Sequence, residues 1–332
     1  MNKVTPIVYG LGLLGLAACG SSTTQSMLPA PTPPAPAQNA TPFAALKSAV
    51  SLIASKAPAS SAPATESKLA ASAAQKDLSV IDAGASVGLQ PTNVEVVNST
   101  TGDNQVEIIV NGVTFVATGA TDTGNLIFSS KVGAKMAELV TMSELPDVAL
   151  EALTITDGDK NNESLFGFAA MGTPTDVTVI DGRVAGGDFA TYMGDSFLIA
   201  TRDDGVVDTA NGTIDLVVFF GAGSVEGDMN LASKAPSGGS NFEIGNVAIT
   251  IPTTSFSGTN FTAPLDVTTN SANPNPDGSN QLGIDPARST GTLNGSFFGA
   301  TGKSVGGDFQ VFGPTPADTN SVVVQGGFIA KE

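Results

Sequence analysis

The chain has 332 residues, 41% of them hydrophobic, with 38 glycines and few long apolar periods, a balance that favours β structure in one or two modest domains. Its formal net charge of −17 argues against nucleic acid as a partner and against a polybasic membrane patch, and solubility alone accounts for it. With no histidine anywhere, Ser-His-Asp catalysis is excluded, and with one cysteine, Cys19, so is an intrachain disulfide.

Residues 1–18 begin with the positive Lys3 and run through an apolar stretch, Ile7 to Leu16, that is too short to span a bilayer. Leu16-Ala17-Ala18-Cys19 follows and is similar to a bacterial lipobox, which predicts cleavage before Cys19 and makes Cys19 the lipid attachment site. Several acyl chains at ~0.8 kcal/mol per buried CH₂ make a durable anchor where one chain holds only marginally. Gly20 stands where an aspartate would retain the lipoprotein at the inner membrane, so the expected location is the outer membrane of a Gram-negative bacterium, lipid-anchored and exposed at the cell surface.

Residues 19–85 are rich in Ser, Thr, Ala and Pro, and read as a disordered tether. Thr41-Pro42 is a helix-start signal within it, with Phe43, Leu46, Val50 and Ile53 on one face. From 20 to 81 four lysines stand against two acids, net +2, whereas from 82 onward nine basic residues face twenty-nine acidic ones, net −20.

Strands are predicted at Gln105 to Val110 and Val113 to Ala117 about the hairpin signal Asn111-Gly112, and again at Leu126 to Ser129. Lys135 to Leu145 reads as a helix ended by Pro146. Strands resume at Ala149 to Ile155, Leu165 to Ala170 and Val177 to Ile180, the last leading into an Asp181-Gly182 turn. Further runs are Ser196 to Thr201, Gly212 to Phe220, Ser224 to Leu231, Phe242 to Ile251 and Ser255 to Ala263. Near the C-terminal end, Val305, Gly307, Phe309 and Val311 alternate with Asp308 and Gln310 as in a half-buried strand, and Val322, Val324, Gly326, Phe328 and Ala330 repeat the alternation. Ala185 to Phe189 and Val305 to Phe309 share Gly-Gly-Asp-Phe, which reads as one bend used in two strands.

Three ordered pieces carry a resemblance: Leu293-Asn294-Gly295-Ser296-Phe297-Phe298-Gly299, then Ser304-Val305-Gly306-Gly307-Asp308-Phe309, then Gly327-Phe328-Ile329-Ala330-Lys331. They resemble the closing strands of the β-barrel domain of transferrin-binding protein B and related surface lipoproteins. Ser304 departs from that pattern, which often has a glutamate there. Phe166-Gly167 to Thr173, Gly186 to Gly194 and Gly212 to Gly227 are similar to other segments of that domain.

The resemblance implies a mostly β fold: a small antiparallel sheet "handle" at 86–182 and a roughly eight-stranded antiparallel barrel at 183–332, after the tether. It also implies a binding module rather than an enzyme, without a cofactor. The partner it implies is a host iron- or haem-carrying protein, or a cognate outer-membrane receptor. A lipoprotein for adhesion or host-factor interaction on the same fold stays open.

Other motifs fall short of known chemistry. Gly299 to Ser304 resembles a phosphate loop, but Phe297 stands where its first glycine belongs and a strand follows. Gly221-Ala222-Gly223 followed by Gly227 misses dinucleotide spacing, and Gly84 to Gly88 fits a nucleophile elbow without a base. Asp157, Asp159, Asn161 and Glu163, and Asn273, Asn275 and Asp277, alternate as calcium ligands do, yet Phe168 and Ile284 occupy the twelfth positions. Of the two tyrosines only Tyr192 follows the signal segment. Its alternating position reads as scaffold rather than haem ligand, with Met193 and Met229 as thioethers able to reach a haem edge.

Overall fold

A computed structural model describes residues 66–77, 90–100, 106–110, 112–120, 126–157, 163–202, 207–233, 247–268, 282–317 and 320–332. Cys19, the helix signal at Thr41 and the Asn273 cluster lie outside them. Among the described residues no helix is long and apolar enough to cross a membrane.

The first unit is an antiparallel meander of β1 (Glu66–Asp77), β2 (Gln90–Thr100), β3 (Val106–Val110), β4 (Val113–Ala120), β5 (Leu126–Ser130), β6 (Lys135–Glu144), β7 (Val148–Asp157) and β8 (Glu163–Gly172). Strands β3 to β8 curl, and β1 closes the curl by pairing with both β2 and β8. Its interior gathers Ile108, Phe115, Phe128, Leu139 and Leu153, each at an inward position.

Two expectations are corrected here. Strand β1 lies inside the stretch read as tether: its Ala/Ser-rich sequence carries no apolar alternation, and the strand exists through its two neighbours. Lys135 to Glu144 is strand β6, not a helix. Lys, Met, Ala, Glu and Leu are good helix formers, but Ala137 and Leu139 face inward at period two, and pairing to β5 and β7 overrides propensity.

A single described helix, α1 (Val177–Gly186), follows β8. The sequence reads its first turn as a strand. Asp176 caps it by accepting from the Thr178 amide at 2.8 Å, and Gly187 ends it in the left-handed region with φ 68°. The hydrogen bonds from Thr178 hold the Asp176 carboxyl below its ordinary value. The Gly-Gly of 186–187 is therefore a helix end, not the strand feature of 306–307, so the shared tetrapeptide serves two different structures.

The second unit is a closed antiparallel barrel of β9 (Phe189–Arg202), β10 (Val207–Phe219), β11 (Ser224–Ser233), β12 (Val247–Ser257), β13 (Asn260–Thr268), β14 (Thr290–Phe298), β15 (Ser304–Pro314) and β16 (Ser321–Lys331), with β16 pairing back to β9. The run read as one strand from Ser255 to Ala263 is a hairpin, turned at Gly258 with φ 60°. Ile180 of α1 belongs to this barrel's core.

Strands β15 and β16 are buried on both faces instead of one. Their inward side packs the barrel core through Val305, Phe309, Val324 and Phe328, and their outward side meets the first unit in a seam of Val148, Leu150, Phe168, Ala170, Phe298 and Ile329. Both Gly-Gly pairs divide their work accordingly. A Cβ on outward Gly327 would lie 2.5 Å from Leu150 and 2.7 Å from Phe168, and on outward Gly306 2.9 Å from Ala170. A Cβ on inward Gly326 would strike the ring of its cross-strand partner Phe309 at 2.0 Å.

Candidate binding surface

Among the described residues of the barrel, the wall formed by β9 and β10 is the part whose outward face carries exposed aromatic groups. Inward residues along β9 are Ala190, Tyr192, Leu198 and Ala200, so Phe189, Thr191 and Met193 must point out. On β10 the inward set is Ile214, Leu216 and Val218, which turns Asp215, Val217 and Phe219 outward. Phe189 pairs in register with Phe219, Thr191 with Val217 and Met193 with Asp215. The two rings stack with centroids 6.4 Å apart and planes 24° apart.

Phe189 is 67% exposed, Met193 64% and Phe219 36%. Burying a side chain of this size is worth about 1.5–3 kcal/mol, and a stacked pair adds about 0.5–1.5 kcal/mol that the fold already has. The burial term stays uncollected in the free protein. A partner covering this column would collect it.

Helix α1 and a short 3₁₀ turn, Phe220–Ala222, hold the base of this wall. The Phe220 amide donates to the Asp188 carbonyl at 2.9 Å, and the Arg183 guanidinium lies over the Phe220 ring at 4.0 Å. Arg183 donates to the Tyr192 hydroxyl at 3.0 Å and the Gly302 carbonyl at 3.3 Å, and pairs with Glu332 at 3.0 Å. Tyr192 donates to the same Gly302 carbonyl at 2.7 Å. These bonds tie α1, β9, the turn before β15 and Glu332 together behind the wall.

Tyr192 is fully buried, and burial pushes its phenol up to about 12 against the opposing pull of Arg183. It is scaffold, as its strand position suggested. Met229 is likewise fully buried, receiving a weak bond from Ser196 Oγ at 3.8 Å, whereas Met193 is open on the wall. Of the calcium-like cluster, Asp157 is bound by Lys135, Glu163 opens β8, and Asp159 and Asn161 lie outside the described residues. The phosphate-loop look-alike is a tight turn before β15, with Gly299 and Gly302 at positive φ and Ser304 Oγ donating to Asp147 at 3.1 Å. Gly221 to Gly223 is the 3₁₀ turn and its cap, followed by β11. Gly84 to Gly88 lies outside the described residues.

Reading the sequence alone missed the Phe189–Phe219 pair. One signal was there: Phe219-Phe220 are adjacent, and neighbours in an extended chain face opposite ways, so one of them had to look outward.

Among solved structures the fold is similar to transferrin binding protein B. A tryptophan variant from Haemophilus parasuis Hp5 shares 16% identity at a TM-score of 0.42, over 79% of this chain and 45% of that one. A double variant of the same protein shares 18% at 0.44, over 79% and 44%. The isotype 1 protein from serogroup B Neisseria meningitidis shares 11% at 0.34, over 80% and 77%. The chain thus spans less than half the length of the two Haemophilus parasuis chains. No family model and no curated protein matches it.

Proposed function

We propose that this chain is an outer-membrane lipoprotein, anchored through Cys19 and displayed at the cell surface, that binds a protein partner through the β9–β10 wall. The observation that carries this reading is the stacked, solvent-open pair Phe189–Phe219, backed by the bonds of Arg183 and Tyr192 behind β9. Aromatic anchors on a preorganised surface are where binding energy concentrates. The partner that fits this reading is a host protein or the chain's own outer-membrane receptor, and iron or haem acquisition is the process such a pair would serve.

Photo-crosslinking tests it. A benzophenone side chain at position 189 is expected to give a discrete protein adduct on intact cells, lost in Phe219→Ser, while the same group at Asp266, exposed on β13, gives none. Equal adducts from both positions, or none from 189, would overturn the assignment of the wall. In parallel, Cys19→Ser is expected to leave the outer-membrane fraction; full retention after a salt wash would remove the anchor.

A further inference from the structure

The register also places charge on the wall. Beside Val217 on the next strand stands Glu226, and beside Asp215 stands Asp228, directly opposite in the ladder. Two carboxylates facing each other across neighbouring strands oppose folding, yet here they sit next to an exposed apolar column. Glu226 and Asp228 accept from the hydroxyls of Thr253 and Thr250 on β12, which holds both carboxylates on the outer face. Among the described residues the cations nearby are few: Lys331 is the register neighbour of Met193, and Arg183 is engaged with Asp188, Glu332, Tyr192 and Gly302. Beyond Met193 the wall passes to the first unit, where Ser143 donates to Asp195 at 2.7 Å, so the open area ends there.

Building on the reading of this wall as the contact face, we infer that its occupant is a cationic protein segment that sets apolar side chains on Phe189, Phe219 and Met193 while its lysines or arginines meet Asp215, Glu226 and Asp228. Such a segment collects the unburied apolar area and relieves the repulsion between Asp215 and Asp228 in one step. A second copy of this chain is a poor occupant, because it brings carboxylates to carboxylates.

The test uses the full lipidated chain in detergent micelles and three synthetic twelve-residue peptides: one with two phenylalanines and four lysines, one with the lysines replaced by glutamates, and one with the phenylalanines replaced by serines. The first is expected to bind, and to weaken at least tenfold between 50 and 500 mM salt, as screening requires. Both Asp215→Asn with Asp228→Asn and Phe189→Ser with Phe219→Ser are expected to weaken it at least tenfold. The melting temperature should rise in the first pair, because repulsion is removed, and fall by only a few degrees in the second, where one stacked pair is lost, with a cooperative transition in both, so neither loss of binding can be laid to unfolding. Equal binding of the glutamate or serine peptide, binding indifferent to both variant pairs, or a dimer by sedimentation equilibrium that only the Phe variants dissociate would overturn the inference. A discrete adduct at position 189 together with peptide indifference would leave the wall as contact face and remove only its charge preference.

Discussion

Tyr192 shows how a residue that looks functional by rarity is claimed by the fold. Its hydroxyl is spent on the Gly302 carbonyl and the Arg183 guanidinium inside the closed barrel end. Because burial raises its folded pKa to about 12, above the ordinary value of 10.0, the folded state holds the proton more tightly than the unfolded chain. That stability is fully present below pH 10 and is lost as pH climbs from 10 toward 12. The melting temperature is expected to fall over that window in the native protein and to fall less in Tyr192→Phe. At neutral pH the same variant should lose about 1–2 kcal/mol for the missing hydrogen bonds, read by chemical denaturation. Buried so, Tyr192 does not reach haem iron, and hemin is expected to show no Soret shift with the purified protein. A shift abolished by Tyr192→Phe would contradict the buried position.

At the scale of elements, the barrel strands were largely legible because their alternation is strict. Val322 to Ala330 keeps apolar residues or glycine at every second position, and the structure pairs that strand to both β15 and β9. Removing Val322 to Glu332 opens the barrel and bares its core, so the cooperative thermal transition seen by circular dichroism is expected to vanish. A transition unchanged by that deletion would show the strand to be dispensable. Elements that hid are those in which local signals disagree with neighbours. Strand β6 is written in helix formers, and α1 opens with Val177, Thr178, Val179 and Ile180, a β-branched run that becomes helical because Asp176 caps it and Ile180 has a core to enter. Period two also cannot say which side of a strand faces water, so β15 and β16 were read as half-buried although a second unit covers their outer face.

For the whole molecule, the seam between the two units rests on glycines that let backbone and side chains approach closely. Gly327→Leu would push into Leu150 and Phe168, an overpacking that typically costs about 1–3 kcal/mol, and calorimetry is expected to resolve two transitions in this variant and one in the native protein. A single unshifted transition would mean that the seam does not couple the units. The candidate binding wall was the least legible feature of all, since exposure of Phe189 and Phe219 depends on register and on what lies behind them, which no local pattern encodes.

The proposed function requires that this wall face the medium on living cells. Cys19 is the chain's single cysteine and is expected to be acylated, so Phe189→Cys would supply the one thiol available to a label. A membrane-impermeant maleimide is expected to label that variant on intact cells and to leave Thr201→Cys, at a fully buried position, unmodified. Labelling of Phe189→Cys only after the outer membrane is permeabilised would contradict surface display, and with it the function proposed for this chain.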